Sequence, residues 1–327
     1  MSTTTVLREL LEIDAAATAE KIEASIRNTV SRLRRRGVVV ALSGGIDSSV
    51  VGALAARALG SERVLGLFMP EADSSPTSLR LGRALATAFN IRTIVEDITG
   101  TLAAAGCYSR RDAAIRSAVP EYGPGYRCKI VLPDIIRQPG YPLYRIVVRS
   151  PSGAERQVRL SLEAYLGIVA ATNFKQRVRK MMEYYYADLR RYAVAGTPNR
   201  LEHDQGFFVK QGDGAADLKP IAHLYKTQVY QLAEYLCVPK EIRRRTPTTD
   251  TYSLEQTQSE FYFGLSLEQT DFCLYAMEHN LATDAVADAT GLTTDQVNRA
   301  YHVIDAKRQA ARYLHRPPIV FGGEERA

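Results

Sequence analysis

Ser43-Gly44-Gly45-Ile46-Asp47-Ser48-Ser49 is the segment of this chain whose residue types and spacing point most directly to chemistry. It follows the apolar run Gly37-Val38-Val39-Val40-Ala41-Leu42 and precedes Val50 to Leu59, whose apolar spacing is that of a helix. A strand, a glycine-rich turn and a helix start make an anion site. Backbone N–H groups point outward, the helix dipole favours negative charge, and glycine admits a phosphate close to the main chain. The P-loop of kinases and GTPases works the same way but needs a Lys-Ser/Thr pair after its second glycine, which is absent here. An Asp occupies the turn instead. A carboxylate beside phosphates makes sense mainly with a divalent cation between them.

A second group of polar residues follows another expected strand end at Ala193-Val194-Ala195. Gly196-Thr197-Pro198-Asn199-Arg200-Leu201-Glu202 supplies a lone carboxylate, so Asp47 and Glu202 could hold one Mg²⁺ from opposite sides while phosphate oxygens complete its shell. Next comes Gly206 to Leu218, with Lys210 and the run Gly212-Asp213-Gly214-Ala215-Ala216-Asp217. Its glycines read either as an ordinary turn or as close backbone approach to a ligand, with Asp213 and Asp217 partnering hydroxyl or amino groups. Lys226 and Thr227 stand at an expected helix start, placed to meet phosphate.

The elements that must position these groups alternate between strand and helix. Residues 6–35 read as one or two helices, 63–69 as a strand stopped by Pro70, 78–89 as a helix and 92–98 as a strand. That alternation implies an α/β fold, a doubly wound parallel sheet flanked by helices with its site at the strand C-termini, where loop 70–77 faces the same crevice as the glycine turn. Residues 105–160 break the rhythm with prolines and alternating runs such as Tyr144 to Arg149, and read as an inserted mixed segment containing a hairpin. Residues 162–192 return to helix. Thereafter 224–236 read as a helix, 240–263 as a long polar loop holding Arg243-Arg244-Arg245, 267–279 as a helix and 282–312 as further helices, with Thr293 as a cap. The whole reads as a single domain, 1–327, with a helical C-terminal subregion at 265–327.

The totals fit an ordinary globule: 327 residues, 46% apolar and 24% charged. No membrane span or signal-peptide core is evident, and the four cysteines form no C-x-x-C, so the reading is a cytoplasmic protein without a cysteine zinc site or redox pair. The net charge of +6 could mean a nucleic-acid partner, but the basic residues are mostly scattered and a modest positive field equally suits a polyphosphate substrate. Charge alone decides little; nucleic acid is not the expected partner. The cluster Arg32 to Arg36 ends a helix, where cations complement the dipole.

S-G-G-x-D-S-S resembles the turn of the PP-loop ATP pyrophosphatases, which split ATP between its α- and β-phosphates. Downstream, in order, stand G-T-x-N-x-x-E, G-F-F-x-K-x-G-D-G-A-A-D-L, P-I-x-x-L-Y-K-T-x-V and P-x-x-I. Together they resemble the ammonia-dependent NAD synthetases, the amide-forming branch of that superfamily with an adenine nucleotide alpha hydrolase-like fold, over roughly 20–105 and 170–318. The resemblance implies that the carboxylate of deamido-NAD attacks the α-phosphorus of ATP, and that ammonia then displaces AMP from the acyl-adenylate. It implies that Ser43, Gly44, Gly45, Asp47, Ser48 and Ser49 hold pyrophosphate, and that Asp47 and Glu202 ligate Mg²⁺. Thr197 and Arg177 would contact ATP. Lys226 and Thr248 would bind its phosphates and, with Asp47, act in catalysis. Lys210, Asp213, Asp217, His315 and Arg316 would face the dinucleotide. It also implies a homodimer.

Three features depart from the family pattern. Gln256-Thr257-Gln258-Ser259 stands where Q-T-D-E is usual, so two acidic residues are missing; Arg316 replaces a lysine; and the segment at 105–160 is long. That segment is expected to fold over the site or the dimer interface. An amide ligase for another carboxylic acid, such as a sugar acid or natural-product intermediate, would share the same chemistry. Glutamine-using members carry an N-terminal amidohydrolase with a catalytic Cys, and only about 37 residues without Cys precede the first strand here. Free ammonia or a separate glutaminase subunit is therefore the expected nitrogen source.

Overall fold

The structure is a computed structural model, and it describes residues 9–132, 136, 144–249 and 251–321. The start of the helix expected at 6–35, part of the 105–160 span and the end of the 265–327 subregion lie outside the described residues.

The central sheet is parallel, in the order β3-β2-β1-β7, with β1 Val38–Ala41, β2 Val64–Phe68, β3 Arg92–Val95 and β7 Ala193–Ala195. In register, Val38 lies opposite both Val64 and Ala193. Three consecutive valines suit β1 because both its faces are covered. Val38 and Val40 enter one apolar cluster with helices α1 (Ala15–Arg32), α2 (Ile46–Leu59) and α8 (Lys226–Tyr235), whereas Val39 enters another with α6 (Leu162–Arg190). The period of two thus divides one strand between two helical layers. The chain runs outward from β1 through β2, α3 (Pro76–Ala88) and β3, then returns to place β7 on the other side of β1. This reversal opens a crevice at the C-terminal ends of β1 and β7, where the glycine turn and the Gly196 segment begin.

Helix α6 continues without a break because Ser161 caps it, accepting from the N–H of Ala164, and it stops where Arg191 adopts φ +56°. Between β3 and α6 lie α4 (Thr99–Ala104), α5 (Cys107–Arg116) and an antiparallel sheet of β4 (Arg127–Val131), β5 (Arg145–Arg149) and β6 (Glu155–Arg159). The expected hairpin thus gains a third strand. The sheet packs Cys128, Ile130, Ile146 and Val148 against Ile115 and Ile168. A helical layer of α10 (Leu267–His279), α11 (Thr283–Thr290) and α12 (Thr294–His315) has its own core, and Thr293 caps α12 as its position predicts.

The stretch 240–263 is not a continuous loop. Pro239 precedes the short helix α9 (Lys240–Arg244), pinned by buried Ile242, and a π-helical turn spans Ser259–Phe263. The charged residues of 240–244 concealed the single apolar anchor that makes that helix.

Candidate active site

The glycine turn braces itself. Ser43 donates its backbone N–H to Ser48 Oγ at 3.2 Å, and the Ser48 and Ser49 hydroxyls donate to the Gly45 carbonyl at 3.1 and 2.8 Å. Gly44 has φ +75°, and a Cβ there would lie 2.2 Å from the Ser78 carbonyl oxygen, so no other residue fits. Gly45 is the extended N-cap of α2. The first N–H groups of that helix therefore face a cleft with no intrahelical acceptor. Ser43, Gly45, Asp47 and Ser48 line this cleft, whereas Ser49 is fully buried beneath it.

Beside the turn, three elements bring charge together. Asn199 and Glu202 cap α7 (Arg200–Gln205) reciprocally: the Glu202 N–H donates to Asn199 Oδ1, and the Asn199 N–H donates to Glu202 Oε2, each at 3.2 Å. The Asn199 side-chain amide donates to Asp47 Oδ1 at 3.0 Å, and Gln258 Nε2 donates to Glu202 Oε1 at 3.0 Å. Lys226 opens α8, is 1% exposed and pairs with Asp47 Oδ2. Burial, and then the Asp47 charge, push the Glu202 carboxyl up to about 8, against the pull of Lys226. Burial alone would depress Lys226, but Asp47 and Glu202 outweigh it and hold the ammonium above its ordinary value. Together the Asp47 and Glu202 carboxylates form a hard, all-oxygen donor set suited to Mg²⁺. No group of three or more such ligands occurs among the described residues. The remaining positions of a cation here would fall to phosphate oxygens and water.

The cleft encloses about 1220 Å³, more than one drug-sized ligand needs. Thr197, Thr248 and Asp213 also line it. Arg245 lies on the wall too, donating to Ser78 Oγ and to Thr248 Oγ1 at 3.2 Å, so of the three arginines at 243–245 it is the one facing the cleft.

Other expected residues lie elsewhere. Arg177 is on the outer side of α6, its Nε donating to the Lys210 carbonyl at 3.4 Å; Arg179, two residues on, lines the cleft. Lys210 donates to the carbonyls of Tyr313 and Arg316 at 2.9 and 3.2 Å, which fastens the end of α12. Asp217 accepts the Val194 N–H at 2.7 Å and ties its loop to β7. His315 lies 2.8 Å from the His203 carbonyl, and both His315 and Arg316 are exposed. The glycines of 212–214 make room for protein rather than ligand: a Cβ on Gly214 would meet the Phe208 ring at 2.2 Å. Asp213 accepts the Val209 N–H at 2.7 Å within that turn.

The sequence reading missed a buried network at the rim. Lys175, 1% exposed, donates to Glu71 at 3.0 Å, Asp73 at 2.7 Å and the Thr251 carbonyl at 2.8 Å, and Arg111 also pairs with Asp73. Burial opposes the charge on Asp73, yet Lys175 and Arg111 hold its carboxyl below its ordinary value. Asn199 and Gln258 were also missed as site residues. Asn199 carries a signal, three residues before Glu202, which is capping spacing.

The NAD synthase family model matches residues 18–118 and 154–313. The chain belongs to the NAD synthase family. It is an ATP-dependent ligase that forms a carbon–nitrogen bond. The NH(3)-dependent NAD(+) synthetase of Mesorhizobium japonicum is 57% identical over 312 residues, covering 95% of this chain and 98% of its own length. That of Thermotoga neapolitana is 35% identical, covering 80% and 84%. The fold resembles the NMN synthetase of Francisella tularensis, with a TM-score of 0.66 at 20% identity, covering 95% of this chain and all of that one. The glutamine-dependent NAD+ synthetase of Acinetobacter baumannii, with a TM-score of 0.52 and 18% identity, is matched over 94% of this chain but 47% of its own.

Proposed function

We propose that this chain forms NAD from deamido-NAD, ATP and ammonia, releasing AMP and pyrophosphate, with the turn 43–49 and the pair Asp47–Glu202 as its centre. The observation that supports this most is the meeting of that turn with Glu202 and Lys226 where β1 and β7 end, inside a cleft with room for two nucleotides. The relatives favour the dinucleotide over a sugar acid or natural-product acid.

The substrate carboxylate oxygen bonds to the α-phosphorus of ATP, and the bond from that phosphorus to the bridging oxygen breaks with pyrophosphate. Ammonia then bonds to the acyl carbon, the carbon–oxygen bond to AMP breaks, and the nitrogen sheds a proton to water. N–H groups at the start of α2, with Ser43 and Ser48, cradle the departing phosphates. Lys226, an ammonium across neutral pH, offers donors to the same oxygens, and Thr248 and Thr197 flank them. Asp47 and Glu202 would hold Mg²⁺, which when bound neutralises charge building on the phosphates. No side chain forms a covalent intermediate in this scheme.

Ammonia arrives free or from a separate glutaminase. The four cysteines are unpaired, as in a reducing cytoplasm. Helix α6 carries Met181, Tyr185 and Leu189, each more than half exposed and four residues apart, an apolar patch that suits burial in a homodimer, while Leu162 and Leu166 are exposed separately near its start. Exchange of labelled pyrophosphate into ATP tests the first half-reaction: it should require deamido-NAD but not ammonium. Exchange without any acid, or none with deamido-NAD, would overturn the scheme.

A further inference from the structure

The family model stops at 118 and resumes at 154, so β4 and β5 lie in a span it leaves out. Strand β4 pairs with β5 along one edge only. Its other edge meets the stretches 246–249 and 251–260, which lie antiparallel to each other. Thr248 and Thr257 form an antiparallel bridge, the Thr249 N–H donates to the Gln256 carbonyl at 2.9 Å, and the Gln258 N–H donates to the Pro247 carbonyl at 3.1 Å.

The base of this hairpin lies at the reacting groups, with Gln258 on Glu202 and Thr248 beside Arg245. Its tip lies on β4. The Leu254 N–H donates to the Cys128 carbonyl at 3.0 Å, the Cys128 N–H donates to Ser253 Oγ at 2.9 Å, and Arg127 Nε donates to the Ser253 carbonyl at 2.7 Å. Lys129 Nζ pairs with Glu260 at 2.7 Å, and the buried Gln256 amide donates to the Ile130 carbonyl. Cys128 thus engages the hairpin through both backbone groups of its free edge, as in the addition of a strand to a sheet. Arg127 and Lys129, on the face of β4 turned away from its core, close the contact with charged groups.

The buried apolar anchors of this hairpin, Tyr252 and Leu254, lie at its tip, with Tyr252 packed in the core of the β4 sheet. Without that seat its base would fluctuate, and a nucleotide that had to order it would lose affinity by that entropy. We propose that the free edge of β4 is a docking strip that sets the hairpin of 246–249 and 251–260 over the nucleotide site before ATP arrives, with Arg127 and Lys129 as positioning residues. The nucleotide half of this inference rests on the function proposed above; the docking half does not.

The test combines amide hydrogen exchange on the ligand-free protein with steady-state kinetics, comparing wild type, the double variant Arg127→Ala/Lys129→Ala and the single variant Arg127→Lys. In the double variant the Thr249 and Gln258 amides should exchange at least about tenfold faster, and KM for ATP should rise about tenfold with kcat within about twofold, one decade being about 1.4 kcal/mol. Arg127→Lys, which keeps a donor for the Ser253 carbonyl, should stay near wild type. Unchanged exchange at the hairpin, or a fall in kcat with KM for ATP unmoved, would overturn the proposal. If the double variant does not fold, Ser253→Ala at the half-buried tip carries the same test, with a smaller shift in the same direction supporting it and none refuting it. Faster exchange in a protein whose wild type never turns over ATP would fault the proposed function and leave the docking standing.

Discussion

At the scale of single residues, Asp47, Glu202 and Lys226 come from three distant parts of the chain and share one charge balance. Asp47→Asn removes charge from the metal-holding pair, and turnover should fall by about 10²–10³-fold, as the loss of several kcal/mol of charge stabilisation implies. Glu202→Gln should move the Mg²⁺ titration to higher concentration, and an unshifted titration curve would remove Glu202 from the pair. Lys307 differs in kind. It lines the cleft with its ammonium 4.4 Å from the Tyr262 ring centroid and its Nζ donating to the Tyr262 carbonyl, and burial alone pulls it down to about 7. Because its folded value lies below that of an unfolded lysine, its burial costs stability increasingly as pH falls from about 10 to about 7, and the full cost is present below about 7. Relative to wild type, Lys307→Met should therefore be more stable at pH 6 than at pH 9, by about 2 °C or more in thermal midpoint. Equal differences at both pH values would show the lysine to be solvated. Asp47, Glu202 and Lys226 were legible in the sequence because each sits in a dense local motif. Their partner Asn199, which reaches Asp47 across 152 positions, was not, nor was the separate Lys175–Glu71 pair across 104, and spacing carries no trace of such contacts.

At the scale of elements, the start of α8 is fixed from outside its own sequence. The N–H groups of Lys226 and Thr227 donate to the two carboxylate oxygens of Asp271, at 3.1 and 2.7 Å, and Asp271 on α10 is wholly buried. It acts as an N-cap supplied by another helix. Asp271→Ala should cost about 1–3 kcal/mol in urea unfolding, the range for stranding buried donors, and should also lower kcat, because Lys226 loses the anchor that holds it on Asp47. Lost stability at unchanged kcat would separate the cap from the site. The strand and helix alternation around β1 to β3 was readable because apolar periodicity is strong there. The helix at 240–244 was not, since a single buried Ile242 supports it, and the partner of β4 was not, since edge pairing depends on a hairpin about 120 residues further on.

At the scale of the whole molecule, the strand order β3-β2-β1-β7 puts the anion-binding turn and the Glu202 segment side by side, which explains how motifs separated by the span 105–160 form one site. The same long helix that walls the cleft with Lys175 and Arg179 also exposes the apolar patch of Met181, Tyr185 and Leu189. Leu189→Glu should halve the particle mass in sedimentation velocity, whereas a wild-type protein that already sediments as a monomer would refute the homodimer. The central claim is that the turn at 43–49 activates a carboxylate for amidation. It is tested most directly by the mass of the dinucleotide formed from deamido-NAD, ATP, Mg²⁺ and ¹⁵N-ammonium. The account predicts ¹⁵N-labelled NAD with one AMP and one pyrophosphate per turnover. Unchanged deamido-NAD, or ADP and phosphate in place of AMP and pyrophosphate, would contradict it.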